Sequence, residues 1–278
     1  MSFMSLRSFH GIPIHEVVDS YWVFLARNHY NAHLKRFGER LEADAKAAEA
    51  EAVVFSLLWS SKARPDVLED ASTGGVDFIC RPDKMSEFVV EVKSLNSDGV
   101  ARRSCWPKKG DGRVGGAFKL ETFKLKNVAQ RADRQLGRYA FPRVLAIASS
   151  DESALVLMDG HAVESLLVSD PVPSTSLDNP AMLATDLRNS VFVKPDNAGR
   201  IVTCLPHVSA IWLIGIFGDQ SRLVGALHPE PEIPFDPNLF PDIPYGWLRK
   251  WPAQDGRLGV EWTPGKREPA GFLHARIQ

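Results

Sequence analysis

The chain has 278 residues, of which 44% are hydrophobic and 24% are charged, as in an ordinary globular protein with one large domain or two small ones. Its formal net charge of −1 gives no sign of a polyanionic partner, and its three widely spaced cysteines exclude a disulfide framework. The start of the chain lacks a signal pattern and the longest apolar stretch is too short for a bilayer, so we expect a cytoplasmic protein without membrane contact.

The first part of the chain is predicted to be helical, from about residue 14 to residue 58. Residues 36–51 are rich in Ala, Glu, Lys and Arg, which favour helix, and the apolar residues 52–58 are expected to pack against a sheet. We predict a single domain over residues 1–278. Its parts would be a helical N-terminal extension (about 1–35), a core (about 36–160), and C-terminal strands with a proline-rich strap (about 161–278).

Two strands are predicted next, at residues 76–80 and 88–93, joined by a turn-prone segment that contains proline and aspartate. Alternate side chains of a strand share a face, so Glu91 and Lys93 point the same way. If the two strands pair as a hairpin, Asp77 reaches that face as well. Two carboxylates and an ammonium group on one sheet edge can bind a divalent metal and steady a phosphate.

The rest of the chain alternates between strands, helices and long loops. A loop at residues 94–116 carries five glycines, and we expect it to be mobile in the absence of nucleic acid, with Trp106 able to stack on a base. The order helix, strand, strand, helix, strand predicts an α/β fold with a mixed central β-sheet flanked by helices. The elements predicted after the loop are a helix at about 120–139, strands at 144–148, 154–158, 208–217 and 223–227, and an irregular strap at 228–252.

Positive charge is concentrated immediately after the two strands. Residues 102–143 contain twelve basic and three acidic residues, a local excess of nine positive charges. This is the distribution that a phosphate backbone attracts, although a solvated helix face with a polar loop would have the same composition. The residues predicted to contact nucleic acid are Lys108, Lys109, Lys124, Lys126, Arg131 and Arg134.

Four features follow one another between about residues 45 and 150: a Glu on a helix, Gly-x-Asp on a strand, Glu-x-Lys on the next strand and a Gln on a later helix. The residues are Glu51 or Glu49, Gly75-Val76-Asp77, Glu91-Val92-Lys93, and Gln135 or Gln130. This order resembles the PD-(D/E)xK nuclease superfamily, the restriction-endonuclease-like proteins. The resemblance implies a restriction-endonuclease-like core with C-terminal additions, and metal-dependent hydrolysis of phosphodiester bonds, in DNA more than in RNA.

The chemistry of phosphodiester hydrolysis assigns a metal to the two strand carboxylates. Asp77 and Glu91 would hold Mg²⁺, for which Mn²⁺ can substitute, and the backbone carbonyl of Val92 could add a third oxygen. Lys93 would position the attacking water, help to deprotonate it, or hold the phosphate.

The two helices would complete the catalytic group. Glu51 would contribute through a water or a second metal, with Glu49 as the alternative. Gln135 is preferred to Gln130, because Gln135-Leu136 resembles the family's usual pair and a Gln from such a helix can touch the site in this superfamily.

Several alternatives remain open. The family's first acid usually follows a proline, whereas Val76 precedes Asp77, so Asp66 and Asp83, which do follow prolines, are the alternative first acids. A second acid-x-Lys sequence begins at Asp44, but it falls in a predicted helix, where residues two apart do not share a face.

Three readings compete with the nuclease. The three strand residues could form an exposed cross-strand salt bridge. The chain could be a non-catalytic nucleic-acid-binding or assembly protein that keeps a nuclease-like fold, or a globular protein with an unrelated small-molecule pocket. A homodimer is compatible with each reading.

Overall fold

The structure is a computed structural model, and it describes residues 13–68, 75–95, 115–150, 160–168, 171–172, 184–185, 187, 190–217, 220–249, 258–263 and 270–271. Most of the predicted mobile loop, with Trp106, Lys108 and Lys109, lies outside the described residues, as does the strand predicted at residues 154–158.

Three helices open the described chain, in agreement with the prediction for residues 14–58. They are α1 (Ile14–Arg27), α2 (Asn31–Ala43) and α3 (Ala45–Ser60). Asp44 caps the start of α3, where its side chain accepts a hydrogen bond from the backbone N–H of Ala47 at 3.2 Å. The acid-x-Lys sequence at Asp44 is therefore a helix start.

The sheet is built from strands along the whole chain. The elements after α3 are, in chain order, β1 (Pro65–Val67), β2 (Phe78–Cys80), β3 (Phe88–Ser94), α4 (Gly115–Leu136), β4 (Arg143–Ser149), α5 (Gly160–Val168), β5 (Pro171–Val172), β6 (Ala184–Thr185), β7 (Val193–Pro195), β8 (Ile201–Thr203), β9 (Ala210–Phe217), β10 (Gln220–Leu227), β11 (Tyr245–Arg249), β12 (Gly259–Trp262) and β13 (Ala270–Gly271).

Nine of the described strands form one mixed sheet in the order β1-β2-β3-β4-β9-β10-β11-β12, with β13 also paired to β10. The central strands β3, β4 and β9 are parallel, and antiparallel pairs flank them at β2 with β3 and at β9 with β10. The predicted class, α/β with a mixed central sheet flanked by helices, is confirmed. Among the described residues, no helix combines the length and apolar character needed to cross a bilayer.

The two faces of the sheet bury separate apolar cores. Phe88 and Val90 of β3 point toward α1, α2 and α3, whereas Val89 between them packs in the second core with residues of α4 and α5. This alternation follows from the two-residue period of a strand. Because helices cover both faces, the central strands are apolar over most of their length, and charged residues within them stand out.

Two C-terminal predictions need correction. The segment at residues 228–252 is not only an irregular strap, because its end forms β11, which joins the sheet parallel to β10. No proline lies between Pro244 and Pro252, so every residue of β11 has a backbone N–H that can pair. The ring of Tyr245 then lies where a side chain on Gly225 would stand, at 2.3 Å from an ideal Cβ, so β10 needs glycine there.

The helix α5 was not predicted, although Val163, Leu166 and Leu167 have helical spacing and are buried.

His228 ties the start of the strap to the second core as a neutral imidazole. Its Nε2 atom donates to the carbonyl oxygen of Cys204 at 2.9 Å, and its Nδ1 atom accepts from the N–H of Glu230 at 2.9 Å. The ring centroid lies 4.6 Å from that of Phe192. Burial lowers the pKa of His228 to about 4.

This pKa predicts a loss of stability in acid. In the unfolded chain this histidine binds a proton near pH 6.5, whereas in the folded protein His228 stays neutral down to about pH 4. The free energy of unfolding therefore decreases as the pH falls from 6.5 to 4. Urea unfolding measures the free energy of unfolding at pH 7 and at pH 4.5. Its decrease between the two should be roughly 2 kcal/mol larger in the wild type than in His228→Gln, whose side chain does not titrate. Equal losses in both proteins would contradict a buried neutral histidine.

Candidate active site

A cavity of about 280 Å³ lies where β2 and β3 separate. β2 pairs with β3 only as far as Phe78 and Val90, whereas β3 continues beside β4 to Ser94. The last residues of β3 therefore present one backbone edge to the cavity. The described residues that line it are Arg40, Ala47, Glu51, Gly75, Asp77, Glu91, Val92, Lys93, Ser94 and Gln135.

The cavity brings together the residues that the sequence predicts to be catalytic: Asp77, Glu91, Lys93, Glu51 and Gln135. Glu51 belongs to α3 on one face of the sheet, and Gln135 belongs to α4 on the other. The gap between the two strands allows side chains from both helical layers to reach the same space. Residues distant in sequence thus meet at one sheet edge.

Asp77 bridges the gap between the strands. It precedes β2, which is shorter than predicted, and its Oδ2 atom accepts the backbone N–H of Val92 on β3 at 2.7 Å. Just before it, the N–H of Val76 donates to the hydroxyl of Tyr139 at 3.1 Å. The carboxylate thus takes the place of the next ladder hydrogen bond, which fixes its position.

Burial raises the pKa of the Asp77 carboxyl well above its usual range, and the charges of Glu91 and Glu51 raise it further. The Val92 N–H and the charge of Lys93 oppose these effects without cancelling them. A cation bound beside Asp77 would favour the ionised form.

Glu91 and Lys93 lie two residues apart on β3 and form an ion pair. Glu91 is buried, whereas the Lys93 side chain is 38% exposed. The amide of Gln135 donates to the Oε2 atom of Glu91 at 3.0 Å and to the carbonyl oxygen of Gly75 at 2.6 Å. Gln135 therefore links α4 to both strands, whereas Gln130 is exposed on the same helix.

The structure also separates the two acids predicted on α3. Glu51 is buried, and its Oε1 atom accepts the hydroxyl of Tyr21 at 2.9 Å and lies 2.7 Å from Nε2 of His33. Its Oε2 atom is paired with Arg40. Glu49 instead hydrogen bonds to Ser150 after β4, and burial raises its pKa. Glu51 is thus the acid of the cavity.

The alternative first acids have structural partners elsewhere. Asp66 on β1 accepts the hydroxyl of Tyr30 and lies 3.6 Å from a guanidinium nitrogen of Arg81. Asp83 accepts the N–H groups of Met85 and Ser86 in the turn between β2 and β3, at 2.7 and 2.8 Å, and these bonds lower its pKa. The described lining residues include neither acid.

The predicted nucleic-acid contacts that the structure describes lie on α4. Arg131 and Arg134 are exposed and one turn apart, whereas Lys124 and Lys126 are half-buried. The described lining of the cavity contains none of them. They occupy the helix that carries Gln135 and can contact a substrate only outside the cavity.

Sequence reasoning missed three residues around Glu51: Tyr21, His33 and Arg40. A signal for two of them was present, because His33, Phe37 and Arg40 have the spacing i, i+4, i+7 and so share one stripe of α2. Phe37 is fully buried on that stripe. Polar residues at two positions of a buried stripe indicate a polar partner inside the protein.

The oxygen atoms at the sheet edge fit a hard divalent cation. Within the described residues, no group of three or more His, Cys, Asp or Glu side chains is arranged to hold a metal. Mg²⁺, however, commonly uses only one or two carboxylates and retains several waters. Asp77 and Glu91 provide these carboxylates. The carbonyl of Val92 lies on the same edge of β3 as the Val92 N–H, which donates to Asp77.

Charge also favours a cation at this place. Among the described lining residues, the acids Glu51, Asp77 and Glu91 exceed the bases Arg40 and Lys93 by one formal charge. A divalent cation would reverse the sign, so that the cavity would attract a phosphate.

Comparison with protein-family models finds no match to this chain, and searches of curated proteins and of solved structures find none similar to it. The interpretation of the site therefore depends on its own geometry and chemistry.

The raised pKa of Asp77 predicts that the charged carboxylate destabilises the metal-free protein. The folded state retains the proton to higher pH than the unfolded state, so stability falls as pH rises above the usual aspartate range. Asp77→Asn removes the titration and keeps the shape. In thermal unfolding with a chelator, the melting temperature of the variant should rise relative to that of the wild type as the pH increases from 5 to 8.

Glu91→Gln is the matched comparison, because it removes a carboxylate that has Lys93 as an ion-pair partner. We expect it to be less stable than Asp77→Asn at pH 8. A wild type more stable than Asp77→Asn across the whole range would contradict the charge repulsion inferred at Asp77.

Proposed function

We propose that the chain is a metal-dependent nuclease with a restriction-endonuclease-like core, which hydrolyses phosphodiester bonds and prefers DNA to RNA. The observation that carries the proposal is the convergence of Asp77, Glu91 and Lys93 on one cavity at a split in the sheet. Two carboxylates can hold a divalent metal, and a partly exposed ammonium group can steady a phosphate, which together suit metal-assisted phosphodiester hydrolysis.

The burial of the two strand acids favours a functional role over a structural one. Asp77 and Glu91 are 7% and 1% exposed, so they do not form the exposed cross-strand salt bridge of the alternative reading. Burying two carboxylates side by side costs free energy, and a fold could avoid that cost with apolar residues. Such costs are concentrated at functional sites.

Each residue of the cavity has a task in the proposed mechanism. Asp77, Glu91 and the Val92 carbonyl would hold Mg²⁺, which would supply charge neutralisation at the phosphate and lower the pKa of a water. Lys93 donates to a non-bridging phosphate oxygen or holds the attacking water. Gln135 fixes the orientation of Glu91 through its amide hydrogen bond.

The basic segment beside the site would bind the phosphate backbone. Arg131 and Arg134 are exposed on α4, and the other predicted contacts lie in the same segment of the sequence. Backbone contacts of this kind position a nucleic acid without reading its sequence. The proposal therefore predicts little sequence preference from this surface.

Removal of one metal ligand should abolish cleavage. Asp77→Asn is expected to lower the Mg²⁺-dependent rate at least about a hundredfold, because the charge stabilising the transition state is lost. The rate is measured on plasmid, linear duplex, single-stranded DNA and RNA, with Mg²⁺ and with a chelator. Asp66→Asn, an acid on β1 outside the described lining, is the control and should cleave normally.

Wild-type rates in Asp77→Asn would overturn the assignment. Binding of nucleic acid by the wild type without cleavage of any of the four substrates would favour the non-catalytic alternative.

Nucleic-acid affinity should depend on salt through the basic helix. Each cation that meets a phosphate releases counterions, so Arg131→Gln with Arg134→Gln should lower the slope of log affinity against log salt by about two. The slope comes from fluorescence anisotropy over a salt series. The control Arg27→Gln changes an exposed arginine on α1 and should leave the slope unchanged. An unchanged slope in the double variant would place the binding surface elsewhere.

A further inference from the structure

The cavity contains a second cation to which neither the resemblance nor the acid-x-Lys pattern assigns a role. Arg40 projects from α2 into the cavity lining, and its side chain is 30% exposed. Its ion-pair partner, Glu51, is 1% exposed. The pair thus joins a buried carboxylate to an arginine side chain that solvent partly reaches.

Glu51 is held by donors on both of its oxygen atoms. The Tyr21 hydroxyl and the Nε2 atom of His33 contact Oε1, and the guanidinium of Arg40 contacts Oε2. Tyr21 is itself buried, and burial followed by the charge of Glu51 raises the pKa of its hydroxyl well above the usual value. The hydroxyl therefore keeps its proton and remains a donor to Glu51.

This arrangement suits an anchor better than a metal ligand. A buried carboxylate is stable only when its lone pairs are engaged, and the donors Tyr21, His33 and Arg40 meet that need. These donors take up about three of the four lone-pair sites of the carboxylate, so a metal at Glu51 would have to share Oε2 with the guanidinium of Arg40. In contrast, the fixed carboxylate restricts the long side chain of Arg40 to one position at the cavity surface.

The chemistry of the guanidinium group identifies what Arg40 would bind. A planar guanidinium presents several N–H donors in a fixed fork that matches the oxygen atoms of a phosphate. Lys93 enters the same cavity from β3, so the two cations are offered by different elements to one space. A phosphate in the cavity can then be contacted by a fork and by a point charge.

We propose that Arg40 binds a phosphate group of the substrate in this cavity, and that Glu51, held by Tyr21 and His33, is the residue that positions Arg40. The inference rests on the proposed nuclease function and adds to it a specific phosphate contact. The phosphate is either internal to a strand or a terminal monoester, because both present at least two non-bridging oxygen atoms to the guanidinium fork.

Steady-state kinetics with two varied concentrations test the inference. Initial rates are measured over a range of nucleic-acid concentration and, separately, of Mg²⁺ concentration. Arg40→Gln should raise KM for nucleic acid about tenfold or more, the effect of losing one charge-assisted contact, and leave the Mg²⁺ concentration for half-maximal rate unchanged. Arg40→Lys should recover only part of the affinity, because an ammonium group lacks the fork.

A double-variant cycle tests the role of Glu51. If Glu51 acts through Arg40, Glu51→Gln raises KM in the same direction, and the combined variant is no worse than Arg40→Gln alone. Glu49→Gln, two residues away on α3 and outside the described lining, is the control and should behave as wild type. A shift of the Mg²⁺ half-saturation in Glu51→Gln, with an unchanged KM in Arg40→Gln, would overturn the proposal and make Glu51 a metal ligand.

Whether Arg40 binds an internal or a terminal phosphate is decided by measuring KM on three oligonucleotides of one sequence. One is 5′-phosphorylated, one is 3′-phosphorylated and one is unphosphorylated. An Arg40→Gln defect on all three identifies an internal phosphate, and a defect on one phosphorylated form identifies a terminal one. Thermal unfolding accompanies every variant. If Arg40→Gln fails to fold, Arg40→Lys, which retains the charge, replaces it. A raised KM in Arg40→Lys then supports phosphate binding by Arg40, and an unchanged KM contradicts it.

The failure of the nuclease proposal has a different signature. In that case the wild type cleaves no substrate, and inorganic phosphate titrated in the presence of Mg²⁺ becomes the probe, followed by ³¹P line broadening. Weaker phosphate binding by Arg40→Gln than by wild type supports the Arg40 assignment. Equal binding by both proteins, or no binding by the wild type, overturns it.

Discussion

The whole site depends on one hydrogen bond, from the backbone N–H of Val92 to the carboxylate of Asp77. Two paired strands would normally continue their ladder at this point, and the side chains of opposite layers would stay apart. Because a side chain replaces the backbone partner, β2 leaves β3 and a cavity opens between the helical layers. Asp77 is thereby both a structural link and the acid on which the proposed chemistry depends.

Polar contacts around the cavity compensate for the charge that the fold buries there. Gln135 and Lys93 satisfy Glu91 from α4 and β3, and Tyr21, His33 and Arg40 satisfy Glu51 from α1 and α2. Among the described residues, Asp77 accepts the neutral N–H of Val92, and burial, followed by the charges of Glu91 and Glu51, raises its pKa. The unbalanced charge is thus located at Asp77, where a bound cation would relieve it.

The sequence predicts those parts of the site that follow from local periodicity. Glu91 and Lys93 share a face because of the two-residue period of β3, and the fold class follows from the order of elements. The stripe of α2 that carries Arg40 indicates a polar partner inside the protein, but the place of Arg40 in this cavity depends on how α2 packs against α3, which the sequence does not predict. The strand β11 was missed for a similar reason: only its pairing with β10 distinguishes it from the strap before it.

The most direct test of the central claim is the location of a bound metal. Crystals of the protein soaked in Mn²⁺, with anomalous diffraction recorded at the manganese edge, reveal where the ion binds. We expect one peak within bonding distance of the carboxylates of Asp77 and Glu91, with the Val92 carbonyl as a further ligand. A peak at other residues, or no peak in this cavity at saturating Mn²⁺, would contradict the assignment of a metal-dependent active site.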